Sequence, residues 1–232
     1  DKMKTYAAIL SGPAQAIDRA VTAQTFPVIR SEEGESVFNY IDTSSSRAGI
    51  NMVTMKLELR KIAIVGLGGT GSYVLDLVAK TPVGDIHLFD GDTFLQHNAF
   101  RSPGAPSIEE LQQAPKKVTY FRDHYAKMRC RIVAHEYQID ASTVEQLRDM
   151  DFVFLCIDGG AVKRIIIEKL EEFGIGFIDV GMGVELVDGT LGGILRVTAS
   201  TAKQRGHVQK RVSVGESNSD DDYSRNIQIA DL

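Results

Sequence analysis

Short apolar strands alternating with amphipathic helices from about residue 60 onwards predict an α/β protein: a doubly wound, mostly parallel sheet with helices on both faces. Two further observations support that class: a glycine-rich turn joins the first strand to the first helix, and an aspartate ends the second strand. Lys61-Ile62-Ala63-Ile64-Val65 is apolar after its first residue, as in strands that a parallel sheet buries on both faces. Residues 72–80 have helical spacing and stop at Thr81-Pro82, where proline's fixed φ and missing N–H end the pattern. The next strand, 85–90, closes on Asp90. Residues 114–128 read as helix, 132–139 as strand, 142–149 as helix, 152–157 as strand, 162–173 as helix and 176–180 as strand. Strand-like runs within 184–198 flank Asp188-Gly189, a hairpin signal that predicts an antiparallel extension near the C-terminus.

Residues 1–58 lack this alternation. Residues 6–10 and 26–29 are short apolar runs among proline signals, and a helix from about Ser44 towards Leu57 would be capped by Asp42 or a neighbouring hydroxyl. The expected organisation is a linker and N-terminal lead-in over 1–45 and a single domain over 46–232. Residues 215–222 are polar and acidic and read as a mobile surface loop. Residues 223–232 regain apolar character and stop abruptly, so the domain is expected to continue. The chain starts at Asp1 without a signal-peptide pattern, and both ends read as cut from something longer.

The charge balance is 26 Lys+Arg against 31 Asp+Glu, a net charge of −5, which argues against the basic field of a dedicated nucleic-acid binder. No apolar run approaches the roughly 20 residues needed to span a bilayer, so no membrane partner is expected. Two cysteines, Cys130 and Cys156, cannot make a disulfide framework or a four-ligand zinc site by themselves. Cys156 lies in an apolar strand and reads as a buried, inert thiol. A reducing, cytoplasmic setting is the default.

Gly66, Gly68, Gly69 and Gly71 carry the first chemistry. Glycine permits a tight turn and lets the backbone approach a phosphate, while the following helix start supplies N–H donors. With Asp90 placed 19 residues after Gly71, where a strand-end acid would bond ribose hydroxyls, the arrangement is Rossmann-like. The competing reading is a purely structural turn. Asn98, Arg101 and Lys117 follow, and could converge on one polyanion, although each singly reads as a surface group. Asp158 ends an inner strand, where it suits either a helix N-cap or Mg²⁺ beside phosphates. An NAD-dependent oxidoreductase would share the glycine turn but has little use for Arg101, Lys117 and Asp158 together.

As a set these residues resemble the ThiF-type adenylyltransferases, the fold shared by ubiquitin-activating enzymes and by activators of sulfur-carrier proteins. The resemblance runs over about 57–197 and resumes at 226–232, and its character is closest to bacterial members associated with ubiquitin-like conjugation. It implies that Gly66 to Gly71, Asp90, Asp92 and Asn98 bind the nucleotide, with Arg101 and Lys117 on its phosphates. It also implies Mg²⁺ on Asp158, and ATP-dependent adenylation of the C-terminal carboxylate of a ubiquitin-like or sulfur-carrier protein, releasing pyrophosphate. Family members often act as dimers in which an N-terminal arginine reaches the partner's phosphates, and Arg47 is the candidate for that role in a homodimer. A downstream conjugating enzyme is a further partner of this class. Departures are Ser102 where glutamine is common, Gly159 where asparagine is common, no cysteine after Cys156 to form a thioester, and no paired Cys-x-x-Cys for zinc. The remaining alternatives are a non-catalytic scaffold half of a heterodimeric activator and an enzyme that adenylates a small-molecule or tRNA-borne carboxylate.

Overall fold

The computed structural model describes residues 2–23, 27–32, 34, 36–158 and 160–212. The expectations for 215–222 and 223–232 lie outside the described residues, as do Phe26 and Gly159. In chain order the helices are α1 (Lys2–Ile17), α2 (Thr43–Ala48), α3 (Asn51–Thr54), α4 (Gly69–Val78), α5 (Gln96–Ala99), α6 (Ile108–Gln112), α7 (Lys117–Tyr125), α8 (Ala161–Glu172) and α9 (Val208–Arg211). The strands are β1 (Lys61–Val65), β2 (Asp85–Phe89), β3 (Ile132–His135), β4 (Phe152–Leu155), β5 (Gly176–Val187) and β6 (Thr190–Ser200).

The described strands form one sheet in the order β3-β2-β1-β4-β5-β6, parallel except for the antiparallel β5–β6 pair. Alternate residues of β1 enter two separate cores, as the two-residue period of a strand requires. Ile62 and Ile64 pack with Leu75 and Ala79 around α4 and with Val118 and Phe121 of α7. Ala63 and Val65 pack on the other face with Ile166, Ile167 and Leu170 of α8 and with Val208 of α9. Helices therefore cover both faces, in the doubly wound arrangement.

Local differences from the expected elements have physical causes. The helix expected over 44–57 is two short helices and a 3₁₀ turn (Met55–Leu57), broken at Gly49, whose φ of 68° ends α2. Asp42 caps α2 by accepting from the N–H groups of Ser44 and Ser45, at 2.8 and 3.1 Å. The expected strand at 132–139 stops at His135, and the expected helix at 142–149 is one 3₁₀ turn, Val144–Leu147. There Asp140 Oδ1 takes the N–H groups of Ser142 and Thr143, an Asx turn that competes with regular helix. The run at 6–10 belongs to α1, which buries none of its residues.

Part of the lead-in is anchored to the sheet domain. Arg30 bridges Tyr40, Phe38 bridges Arg129, and the Asn39 N–H donates to Met128 O at 2.9 Å. At the other end, Asp188 and Gly189 take φ of 50° and 75°, the two positive values that a type I′ hairpin needs. β4 pairs only with the first residues of β5, 176–179, so the rest of the β5–β6 hairpin extends past the parallel sheet.

Candidate functional site

In this strand order β1 lies beside β4, and the connections after them run to opposite sides of the sheet. At such a switch point the carboxyl ends of the two strands open a crevice. The glycine turn leaves β1 into this crevice, and the turn carrying Asp158 leaves β4 beside it.

The four glycines divide into packed and open positions. Gly66 takes φ 88°, and a Cβ there would sit 2.6 Å from Cys156 O and 2.7 Å from Ile157 Cγ2. At Gly71 a Cβ would sit 1.9 Å from Gly66 O. These two let the β1–α4 turn fold onto itself and onto the end of β4. A Cβ on Gly69 would meet Arg101 O at 3.4 Å, so the Arg101 backbone lies against the turn. A Cβ on Gly68, by contrast, would meet nothing within 4 Å. Gly68 is therefore the open floor, directly before the first turn of α4.

Asp90 is buried just beyond β2, and both of its oxygens are engaged. Oδ2 accepts from the Leu67 N–H at 2.7 Å and Oδ1 accepts from the Asp92 N–H at 2.8 Å. It thus braces the glycine turn from the neighbouring strand, with lone pairs left for a further donor. Lys117, the buried first residue of α7, donates to Asp92 Oδ2 at 2.7 Å and lies 3.9 Å from Asp90 Oδ2. A cation at a helix N-terminus opposes the helix dipole, and the two carboxylates offset that cost. The ammonium also holds the Asp92 carboxyl below the ordinary carboxylate range, and Gln138 adds a 3.4 Å contact. The placement is set by the antiparallel bridge Thr93–Lys116, with Lys117 N–H to Asp92 O at 3.0 Å and Phe94 N–H to Pro115 O at 2.7 Å.

The other expected site residues are distributed less tightly. Asn98 is buried, and its Oδ1 accepts from the Leu95 N–H at 2.9 Å, which fixes the start of α5. Arg101 keeps its Nε buried without a hydrogen-bond partner, a donor held ready beside Gly69. Asp158 is exposed on the turn between β4 and α8, and no hydrogen bond or ion pair engages it among the described residues. Arg47 is exposed in the last turn of α2, with no bond to the glycine turn, Arg101 or Lys117 among the described residues. The structure therefore gathers Asp90, Asp92 and Lys117 with the glycine turn and Arg101, and leaves Arg47 apart. Cys156 is half-buried rather than fully buried, and desolvation pushes its thiol up to about 12. Among the described residues no group of three or more His, Cys, Asp or Glu could hold a metal by itself, and no helix is long and apolar enough to cross a membrane.

Comparison with known proteins gives this geometry a family. The ThiF family model matches residues 45–220. The chain belongs to the ThiF family. A second model, a domain of unknown function (DUF6791), matches residues 1–43 of this ThiF chain. Ubiquitin-like modifier-activating enzyme 5 of Culex quinquefasciatus is 24% identical over 161 residues, covering 62% of this chain and 39% of that protein. The ThiF chain thus spans well under half the length of this curated relative. Among solved structures, E. coli tRNA N6-threonylcarbamoyladenosine dehydratase, TcdA, matches with a TM-score of 0.53 at 22% identity, over 62% of this chain and 61% of that one. E. coli MccB with ATP matches with a TM-score of 0.53 at 18% identity, over 66% and 48%. These likenesses show the ThiF fold.

Four residues were not singled out from the sequence. Lys116 donates to Gly91 O at 2.6 Å, bracing the loop that carries Asp92, and its only signal was the Lys116-Lys117 pair. Gln138 reaches Asp92 from the loop after β3. Lys163 and Asp179 form a buried ion pair next to the β4 turn. Both sat inside apolar patterns, which mark burial without naming a partner.

Proposed function

We propose that this chain is the adenylation domain of an activating enzyme, spanning 46–232 after an N-terminal lead-in over 1–45. It would use ATP and Mg²⁺ to adenylate the C-terminal carboxylate of a ubiquitin-like or sulfur-carrier protein. The observation that carries this reading is the open floor at Gly68, flanked by Arg101 on one side and the Asp90–Asp92–Lys117 cluster on the other. Membership of the ThiF family and the likeness to MccB, solved with ATP, support it.

The residues present fit the nucleotide. Gly68 leaves room for phosphate at the start of α4, where backbone N–H groups and the dipole favour an anion. The unpartnered Arg101 Nε supplies a cationic donor. Lys117 supplies a second cation, and Asp90 retains acceptor capacity for ribose hydroxyls. They also fit Mg²⁺, which takes one or two carboxylates and completes its shell with phosphate oxygens and water. Asp158, exposed and unengaged among the described residues, is the carboxylate for that role. Bound there, Mg²⁺ would neutralise phosphate charge.

In the proposed reaction a carrier carboxylate oxygen attacks the α-phosphorus. The bond from that phosphorus to the bridging oxygen breaks, and pyrophosphate leaves with the electron pair. A carboxylate is already ionised near pH 7, so the chain needs no general base. Its work is positioning and charge stabilisation. The glycine turn holds the phosphates, while Arg101 and Lys117 oppose the charge that builds on them. Arg47, outside this cluster, would act only across a homodimer, with its exposed helix α2 lying on the partner copy. A cytoplasmic setting and transfer to a conjugating enzyme complete the reading.

The test is carrier-dependent ATP–pyrophosphate exchange with the full-length protein. Exchange requiring Mg²⁺ and an intact carrier C-terminus is expected. Asp158→Ala should lose at least about 100-fold of that activity with an unchanged melting temperature, because the residue is exposed and unbonded. Wild-type-like exchange in the variant would refute the assignment, and nicotinamide binding in place of ATP binding would favour a dehydrogenase.

A further inference from the structure

Lys163 and Asp179 are the most deeply buried ion pair of the described molecule. Nζ lies 2.7 Å from Oδ1, with side chains 2% and 0% exposed. Arg196 brings a second cation to 3.6 Å from Oδ2. Neither Asp179 oxygen accepts an aligned hydrogen bond among the described residues, and the nearby Thr198 and Ser200 hydroxyls are also buried without partners. In register along β5–β6, Asp179 faces Thr198 and Phe177 faces Ser200, so this polar group lies on the α8 side of the sheet.

Stability alone is a poor reason for such a cluster. Desolvation largely cancels the attraction within a buried ion pair, and well-packed apolar side chains hold a helix at least as firmly. Lys163 also occupies the first turn of α8, where the helix dipole disfavours a cation. What an ion pair adds is a directional constraint. Its geometry here shows what is constrained. Asp179 pairs in register with Leu155, the last residue of β4, while its side chain grips Lys163, the third residue of α8. One residue therefore holds both ends of the turn that contains Asp158. The same turn packs on the glycine site through Cys156 O and Ile157 Cγ2, the atoms that exclude a side chain at Gly66.

We propose that Lys163 and Asp179 are a positioning pair, which sets the β4–α8 turn so that Asp158 presents its carboxylate to the metal–phosphate group beside the glycine turn. The proposal rests on the adenylation reading and specifies how this chain builds its metal-facing residue. Titration calorimetry of the full-length protein with ATP, once with Mg²⁺ and once with EDTA, reads it without turnover. In the wild type Mg²⁺ should tighten ATP binding. The double variant Lys163→Met with Asp179→Leu should fold and bind ATP in EDTA as before. Its Mg²⁺-dependent gain should fall about 10–100-fold, the usual effect of removing a residue that orients a metal ligand. Lys163→Arg, which keeps the ion pair, should retain the gain. If the double variant does not fold, Lys163→Met alone, which leaves Asp179 its Arg196 partner, should lose the same gain. A full gain in either folded variant overturns the positioning role alone. Wild-type protein that binds ATP equally with and without Mg²⁺ overturns the Asp158 assignment, and the pair's role with it. Wild-type protein that binds no ATP overturns the adenylation reading and everything resting on it.

Discussion

At residue scale the glycine turn separates folding from binding. Gly71 and Gly68 stand three residues apart in one motif, yet a Cβ at Gly71 would collide with Gly66 O at 1.9 Å while a Cβ at Gly68 would meet nothing within 4 Å. Gly68 also has φ −72°, a value open to any residue. Gly71→Ala is therefore expected to cost at least about 2 kcal/mol of stability, because a backbone oxygen cannot move aside as a side chain can. Gly68→Ala should leave the melting temperature unchanged and weaken ATP binding, since the methyl group fills the floor a phosphate would use. Paired melting and titration curves check both, and a Gly68→Ala variant with unaltered ATP affinity would move the phosphates elsewhere. The motif was legible from spacing alone. The division of labour within it was not, because it depends on the ends of β1 and β4 lying side by side.

At the scale of elements, one side chain ties α4 to the edge of the sheet. Arg129 is 1% exposed, and besides Cys130 O its guanidinium donates to four backbone carbonyls of one segment: Ala79 at 3.4 Å, Thr81 at 3.2 Å, Val83, and Gly84 at 2.7 Å. These carbonyls follow the last turn of α4 and lead into β2, a segment that Thr81-Pro82 prevents from satisfying itself as helix. Phe38 of the lead-in lies against the same guanidinium, 5.9 Å from ring centroid to Cζ. Arg129→Met leaves those oxygens buried without donors, and should destabilise the domain by about 3 kcal/mol or more. For a chain of this size that is a fall of about 6–12 °C in melting temperature. Helix α4 and strand β2 were readable as separate elements. The residue joining them lies 45 or more positions away, so no local periodicity points to it.

Across the whole molecule, stability is expected to depend on pH through a histidine chain at the β2–β3 edge. His87 Nδ1 lies 3.0 Å from His135 Nε2, and His135 Nδ1 lies 3.2 Å from Tyr137 Oη, whose proton goes to Gln146 Oε1. With Tyr137 donating to Gln146, the matching arrangement has His135 Nδ1 donating to Tyr137 and His135 Nε2 accepting from His87. Burial, before any charge effect, holds both histidines below their ordinary value. Each is thus protonated more readily unfolded than folded. Their contribution is complete above about pH 6.5 and is lost as the pH falls through that value and the lower folded one. Wild-type melting temperature should drop between pH 7 and pH 5. In a His87→Phe, His135→Phe variant, which keeps the stacked rings, the drop should be smaller. Equal slopes would place the pH dependence elsewhere.

Read alone, the sequence determined the doubly wound sheet with its antiparallel extension, and also the glycine turn and Asp90 at a strand end. Those features are local: a two-residue or 3.6-residue period, a breaker, or a turn dipeptide selects backbone conformation over a few residues. It also marked Lys117 and Asp158 as chemistry-bearing through their resemblance to a family. Only the tertiary structure decided which groups meet. Lys117 reaches Asp92 across 25 positions because residues 92–94 and 115–117 pair, and Asp179 meets Lys163 because β5 lies beside β4. Arg47, equally visible in the sequence, stays apart from that cluster. Charge partners are set by strand order and by the faces the helices cover, and neither is written in any local pattern.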